Sequence, residues 1–112
     1  MNTIYYCECD SNDNYGMELV YYLNTKFMAT FEKRKNAIEW LVNRGRFLKK
    51  DWCKNDVKRI RKHNKKYGLN TTITFDCYKF IVDDDFDINE DNVWDNDYDH
   101  ELIDSRYFVG RY

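Results

Sequence analysis

A chain of 112 residues with 43% apolar and 18% aromatic content is one domain's length, enough to bury roughly two thirds of its unfolded surface in a single core. The 34% charged content would suit a disordered chain, but ten Tyr, seven Phe and three Trp exclude that class. The net charge of −2 conceals a segregation: residues 26–66 carry fifteen Lys/Arg against four acids, a net of +11, and residues 76–104 carry twelve acids against Lys79 alone, a net of −11.

Residues 2–9, with Ile4, Tyr5, Tyr6 and Cys7, read as a strand, and the turn cluster DSNDNYG follows. Residues 17–23 read as a second strand, turned at Asn24-Thr25 into a third over residues 27–31, so that an antiparallel meander opens the fold. Thr30 is placed to cap a helix whose apolar positions Ala37, Ile38, Trp40, Leu41 and Val42 recur at i, i+3 and i+4 before Gly45 ends it. Residues 46–50 connect to a second helix over 51–67, with Cys53, Val57, Ile60 and Tyr67 on a thin stripe and Gly68 at C′. The alternating, β-branched run TTITFDCYKFIV predicts a strand over 70–82, and residues 102–112 predict the last one. The expected fold is therefore α+β, one domain over 1–112: a small antiparallel sheet, made of the N-terminal meander and two C-terminal strands, packed on two central helices.

Between the last two strands lies DDDFDINEDNVWDNDYDHE, residues 83–101, with ten carboxylates and no Lys or Arg. A calcium loop needs a glycine at its sixth position and a bidentate Glu at its twelfth; starts at Asp83 or Asp95 put Ile88 and Trp94, or His100 and Arg106, there instead. Two readings stay open. In the first the segment mimics a polyanion: Asp95, Asp97, Asp99 and Glu101 recur every second residue, and an extended chain would space them at roughly 6.6 Å on one face, close to the phosphate spacing of a nucleic-acid strand. Phe86, Ile88, Val93, Trp94 and Tyr98 are interleaved, and apolar residues of this kind pin a segment to its own fold or anchor it on a partner. In the second reading the segment is a solvated loop, or folds back on the basic helix and neutralises it.

The second helix is the basic element. Lys54, Lys58, Arg61 and Lys65 fall at i, i+4, i+7 and i+11, with Lys62 beside them, a line of cations suited to a phosphate backbone. The pattern matches no helix-turn-helix, zinc-finger or RNA-recognition motif. Cys7, Cys9, Cys53 and Cys77 with His63 supply zinc-ligand chemistry, but Cys-x-Cys inside a strand is not the usual Cys-x2-4-Cys turn, so reduced, partly buried thiols are expected instead. Neither His63 nor His100 has a nucleophile's context and no Gly-rich phosphate loop is present, so neither enzyme activity nor a cofactor or metal is expected. The N-terminal residues show no positive region followed by an apolar run, and no stretch approaches the roughly 18 apolar residues of a membrane span, so a cytoplasmic protein is expected. Abundant Asn, Lys, Ile, Tyr and Asp point to a low-GC genome or its mobile elements.

With its dense carboxylate segment at 83–101 on a short α+β chain, the sequence resembles the small acidic inhibitors of phages and mobile elements, the anti-CRISPR class of DNA mimics. The likeness covers size, composition and that segment, not a specific motif. It implies an inhibitor, cytoplasmic in a bacterial host, whose partner is a basic nucleic-acid-binding protein such as a CRISPR nuclease. The contact residues expected on that reading are Asp83, Asp84, Asp85, Asp87, Glu90, Asp91, Trp94, Asp95, Asp97 and Asp99. The alternative is an accessory protein that binds nucleic acid through Lys54, Lys58, Arg61, Lys62 and Lys65, with the acidic segment as an internal competitor.

Overall fold

The computed structural model describes the backbone of residues 1–22, 28–51 and 54–109, and the side chains of residues 1–18, 28–43 and 58–106. In chain order the elements are β1 (Asn2–Ser11), α1 (Asn14–Tyr22), β2 (Met28–Phe31), α2 (Arg34–Asp51), α3 (Lys54–Tyr67), β3 (Ile73–Val82) and β4 (His100–Val109). The four strands form one antiparallel sheet in the order β2-β1-β3-β4, an α+β fold. As expected, the two C-terminal strands join the sheet; β3 runs along β1 for ten residue pairs, from Asn2↔Val82 to Ser11↔Ile73.

The N-terminal meander is corrected. Where a second strand was expected at 17–23, α1 forms, because Asp13 caps it: its Oδ1 accepts from the Gly16 N–H at 2.9 Å and its carbonyl from the Met17 N–H at 3.0 Å. The Thr71 hydroxyl donates to the other Asp13 oxygen, tying the cap to the entry of β3. A side chain at position 16 would run into Ser11, whose hydroxyl donates to the Thr72 carbonyl at 2.7 Å, so glycine is required by this close approach. Gly16→Ala is expected to destabilise the protein by roughly 1–3 kcal/mol through overpacking, measured as a lower denaturant midpoint with unchanged slope.

The helices differ from expectation at their ends. Thr30 lies in β2, not at a cap, and α2 begins at Arg34 and continues through Gly45 and residues 46–50 to Asp51. A glycine in a helix interior costs about 1 kcal/mol against alanine, which the good helix formers Leu48, Lys49 and Lys50 offset. Gly68 does end α3, with φ of 64° in the left-handed region. Tyr67, expected on the buried stripe, is exposed. The Asn24-Thr25 turn, residues 110–112 and the side chains of Cys53, Lys54 and Val57 lie outside the described residues.

Period-two alternation gives the sheet two buried faces. One carries Cys7, Cys9, Ile73, Phe75 and Cys77 and packs against Ala37 and Leu41 of α2 and Ile60 of α3. Cys7 and Cys77 face each other across the β1–β3 ladder, and all three described cysteines are free and buried, as the sequence predicts. Burial pushes the Cys9 thiol up to about 12, and donation to Cys77 together with burial raises Cys7. The opposite face carries Ile4, Tyr6, Phe80 and Val82, and residues of the acidic segment cover it.

Candidate functional site

Residues 83–99 run between β3 and β4, and the segment's last two residues, His100 and Glu101, open β4. Its apolar residues point down onto the sheet. Val93 is 2% exposed among Ile4, Tyr6, Phe80 and Val82, with Phe86 and Tyr98 packed beside it, their rings 5.9 Å apart edge to face. The Trp94 indole stands edge to face on Phe80 at 5.1 Å, Tyr78 at 5.4 Å and Tyr6 at 5.9 Å, yet 43% of it stays exposed. His100 stacks on Phe80 at 4.9 Å and closes this aromatic group.

Short turns order the backbone above these anchors. The Asp87 carboxylate accepts from Asn89 N–H at 2.9 Å, Asp91 Oδ2 from Asp87 N–H at 2.8 Å, and Asn92 Oδ1 from Trp94 N–H at 2.9 Å. The Asp95 N–H donates to the Asn92 carbonyl at 3.2 Å, so Asp95 sits at the end of a turn and Glu101 in β4. The regular extended row expected over Asp95, Asp97, Asp99 and Glu101 is therefore interrupted at Asp95; turns present Asp87, Asp91 and Asp95, while Asp97 and Asp99 lead into β4, the Asp99 carbonyl accepting from the Ile81 N–H at 2.9 Å.

All the expected contact acids, Asp83, Asp84, Asp85, Asp87, Glu90, Asp91, Asp95, Asp97 and Asp99, are exposed. Among the described residues one ion pair reaches them, Asp84 with the Met1 ammonium at 2.8 Å, itself open to solvent and of small energetic weight. Reduced solvation and the surrounding Asp83, Asp85 and Asp91 hold the Tyr98 hydroxyl above its ordinary value. A groove of about 580 Å³ opens beside them, with Ile4, Phe86 and Ile88 along its walls and Glu32, Asp84, Asp85 and Asp87 around it.

Sequence reasoning missed three further acids on this side of the sheet. Glu8 and Asp76 are direct cross-strand partners, with Asp10 next along the same face of β1. Ser105 Oγ donates to Asp76 Oδ1 at 2.6 Å, and Tyr6 Oη to Glu8 Oε2 at 3.2 Å. The alternation Tyr6, Glu8, Asp10 was visible in the sequence; the register that sets Glu8 against Asp76 was not. Burial, Asp10 and Asp76 push the Glu8 carboxyl above the usual carboxylate range, against the hydrogen bonds of Tyr6 and Trp94. Burial and then Asp76, Glu8 and Asp10 raise Tyr78 to about 12.

Because folding raises the Glu8 affinity for its proton, the Glu8 contribution to stability is fully present below the unfolded pKa of 4.5 and is lost as pH rises through the folded value. Glu8→Gln is expected to remove that dependence and to stabilise the protein at neutral pH by roughly 0.2–1 kcal/mol, the scale of a like-charge cross-strand pair. Thermal unfolding on both sides of the window checks this, and a variant less stable at neutral pH would contradict it.

The basic residues occupy the other side of the molecule. Ile60 of α3 is fully buried in the helix-side core, while Lys58, Arg61, Lys62 and Lys65 are exposed. Asn64 fixes the helix to the chain leading into β3: its side-chain amide donates to the Thr71 carbonyl at 3.0 Å and its Oδ1 accepts from the Thr71 N–H at 3.1 Å. His63 stacks on Tyr15 of α1 at 4.2 Å. Among the described residues no ion pair joins a cation of α3 to the acidic segment. Folding-back of the acids onto the basic helix, one of the readings open at the sequence level, is thus not what these residues do: sheet and helices lie between the two charge sets. No helix of the described residues is long and apolar enough to cross a membrane. No protein-family model matches the chain, and no similar curated protein or solved structure was found.

Proposed function

We propose that the protein is an inhibitor that binds a basic, nucleic-acid-handling enzyme, such as a CRISPR nuclease, and keeps DNA out of its groove with the carboxylate surface of residues 83–99. The observation that carries this reading is a fixed acidic surface reached, among the described residues, by a single ion pair, that of Asp84 with the Met1 ammonium. Like charges held close repel one another, and a fold that needed only solubility would gain by turning its cations toward them. Carboxylates at fixed positions instead complement a groove built to grip phosphates, steer association, and exclude DNA by occupying the same arginines and lysines.

Trp94, 43% exposed among the acids, and Leu102, 54% exposed across from Tyr78, supply apolar anchors in an otherwise polar surface. The groove beside Asp84, Asp85 and Asp87 suits an arginine side chain, with carboxylates for the guanidinium and Phe86 and Ile88 for its stem. The likeness to anti-CRISPR DNA mimics points the same way.

The test adds the purified protein to guide-loaded CRISPR nucleases before target DNA. Cleavage by a susceptible nuclease is expected to be lost near equimolar protein, with inhibition weakening as salt rises from about 50 to about 200 mM. Inhibition that is insensitive to salt, or cleavage unaffected in every nuclease tried, would remove the support for this reading.

A further inference from the structure

The cations of α3 are left over by that proposal. At 100° per residue, Lys58, Arg61, Lys62 and Lys65 fall within one face of the helix, on the side away from the buried Ile60. From Lys58 to Lys65 this row advances roughly 10 Å along the helix, the axial length of about three phosphates on one strand of a B-form duplex. Each of the four is exposed, and none is ion-paired among the described residues. Neighbours such as Lys58–Lys62 and Arg61–Lys65 at i,i+4 repel, so the row costs helix stability, offset in part by the favourable place of Lys65 in the last turn.

We infer that this row is a second binding site, distinct from the acidic face, and that its ligand is the phosphate backbone of a nucleic acid. Three observations select that ligand. The row contains no apolar side chain, whereas a protein partner would need buried anchors at the centre of its interface. Among the described residues of α3, Ile60 is committed to the core and the exposed Tyr67 lies on the side of the helix opposite the row, so no apolar residue accompanies the cations toward a membrane surface. Finally the helix is held in place through Asn64–Thr71 and the His63–Tyr15 stack, which presents the cations as a fixed line. Phosphate contacts of this kind position a nucleic acid without reading its sequence, and Arg61 adds a fork that binds phosphate oxygens in pairs. A nuclease carrying a guide RNA would offer both ligands at once, a basic groove for the acids and an exposed backbone for α3.

The experiment measures fluorescence anisotropy of labelled single-stranded RNA, single-stranded DNA and duplex DNA, each about 20 residues long, with the full chain. At about 50 mM salt, micromolar binding is expected in at least one arm, and at about 200 mM it is expected to weaken about 40-fold, as three phosphate contacts on duplex DNA require, somewhat less for single strands. The variant K58E/R61E/K65E is expected to bind more than tenfold more weakly, with a thermal midpoint close to the original because all three side chains are exposed and the repulsion relieved at Lys58–Lys62 is offset by an anion in the last turn of α3. The milder K58Q/R61Q/K65Q is expected to fall between the two, with a shallower salt dependence. No binding in any arm at low salt, a charge-reversed variant that binds as the original does, or equally tight binding of a labelled poly-glutamate peptide would overturn the inference. None of these results bears on the acidic face, because no nuclease is present in the measurement.

Discussion

Val93→Asp is expected to detach the acidic segment from the sheet and to cost at least about 3 kcal/mol, a fall of roughly 10–20 °C in the thermal midpoint of a domain this size. Val93 is 2% exposed in the cluster of Ile4, Tyr6, Phe80 and Val82, with no cation there to pair a buried carboxylate. Either the charge is buried unpaired, or residues 83–99 lift away and bare that apolar face to water; both are costly. Val93→Ala, which leaves only a small cavity, is expected to cost roughly 1–2 kcal/mol and to keep the segment docked. Thermal unfolding followed by near-ultraviolet circular dichroism, which reports the packing of Trp94 against Tyr6, Tyr78 and Phe80, separates the two variants. A Val93→Asp protein with the original midpoint would show that the segment is not held through this residue.

The second large effect is functional. Reversing Asp85, Glu90, Asp95 and Asp97 to Lys is expected to abolish inhibition and leave the fold intact. These four are exposed, and no hydrogen bond or ion pair of their side chains holds the segment in shape. Asp87 and Asp91 are left alone because their carboxylates close the turns, so that changing them would alter shape as well as charge. The thermal midpoint is expected to stay level or rise, since mutual repulsion among the acids is relieved. Lost inhibition at an unchanged midpoint assigns the effect to charge; full inhibition by the reversed variant would contradict the proposed role of the segment.

Local pattern carried much of the fold. The alternation of TTITFDCYKFIV is the β3 strand, and the left-handed Gly68 ends the basic helix where the sequence places it. Residues 17–23 read as a strand because Met17, Val20, Tyr21 and Tyr22 are strand-compatible, while the feature that decides for α1, the Asp13 cap, sits inside a run of turn residues. Gly45 reads locally as a stop, although one glycine does not outweigh the helix formers that follow it. The order β2-β1-β3-β4 depends on pairings between residues some seventy positions apart, which no local window contains.

For the site, the acids were legible as composition and their presentation was not. That Phe86, Val93, Trp94 and Tyr98 pin the segment to its own sheet is one of the two outcomes their interleaving with the acids leaves open, anchoring on a partner being the other. Which face they cover, and that the sheet and helices separate the acids from the cations of α3, required the tertiary structure. Through the β1–β3 register the half-buried Glu8 and Asp10 extend the acidic face, while Asp76 is buried beneath it and accepts from Ser105.

The central claim, direct competition between the acidic face and DNA, is tested by titrating labelled duplex onto a susceptible guide-loaded nuclease at several fixed concentrations of the protein. The apparent Kd for DNA is expected to rise in proportion to the protein concentration without levelling off, because the two ligands exclude each other from one groove. A plateau, at which DNA still binds the nuclease saturated with the protein, would contradict it.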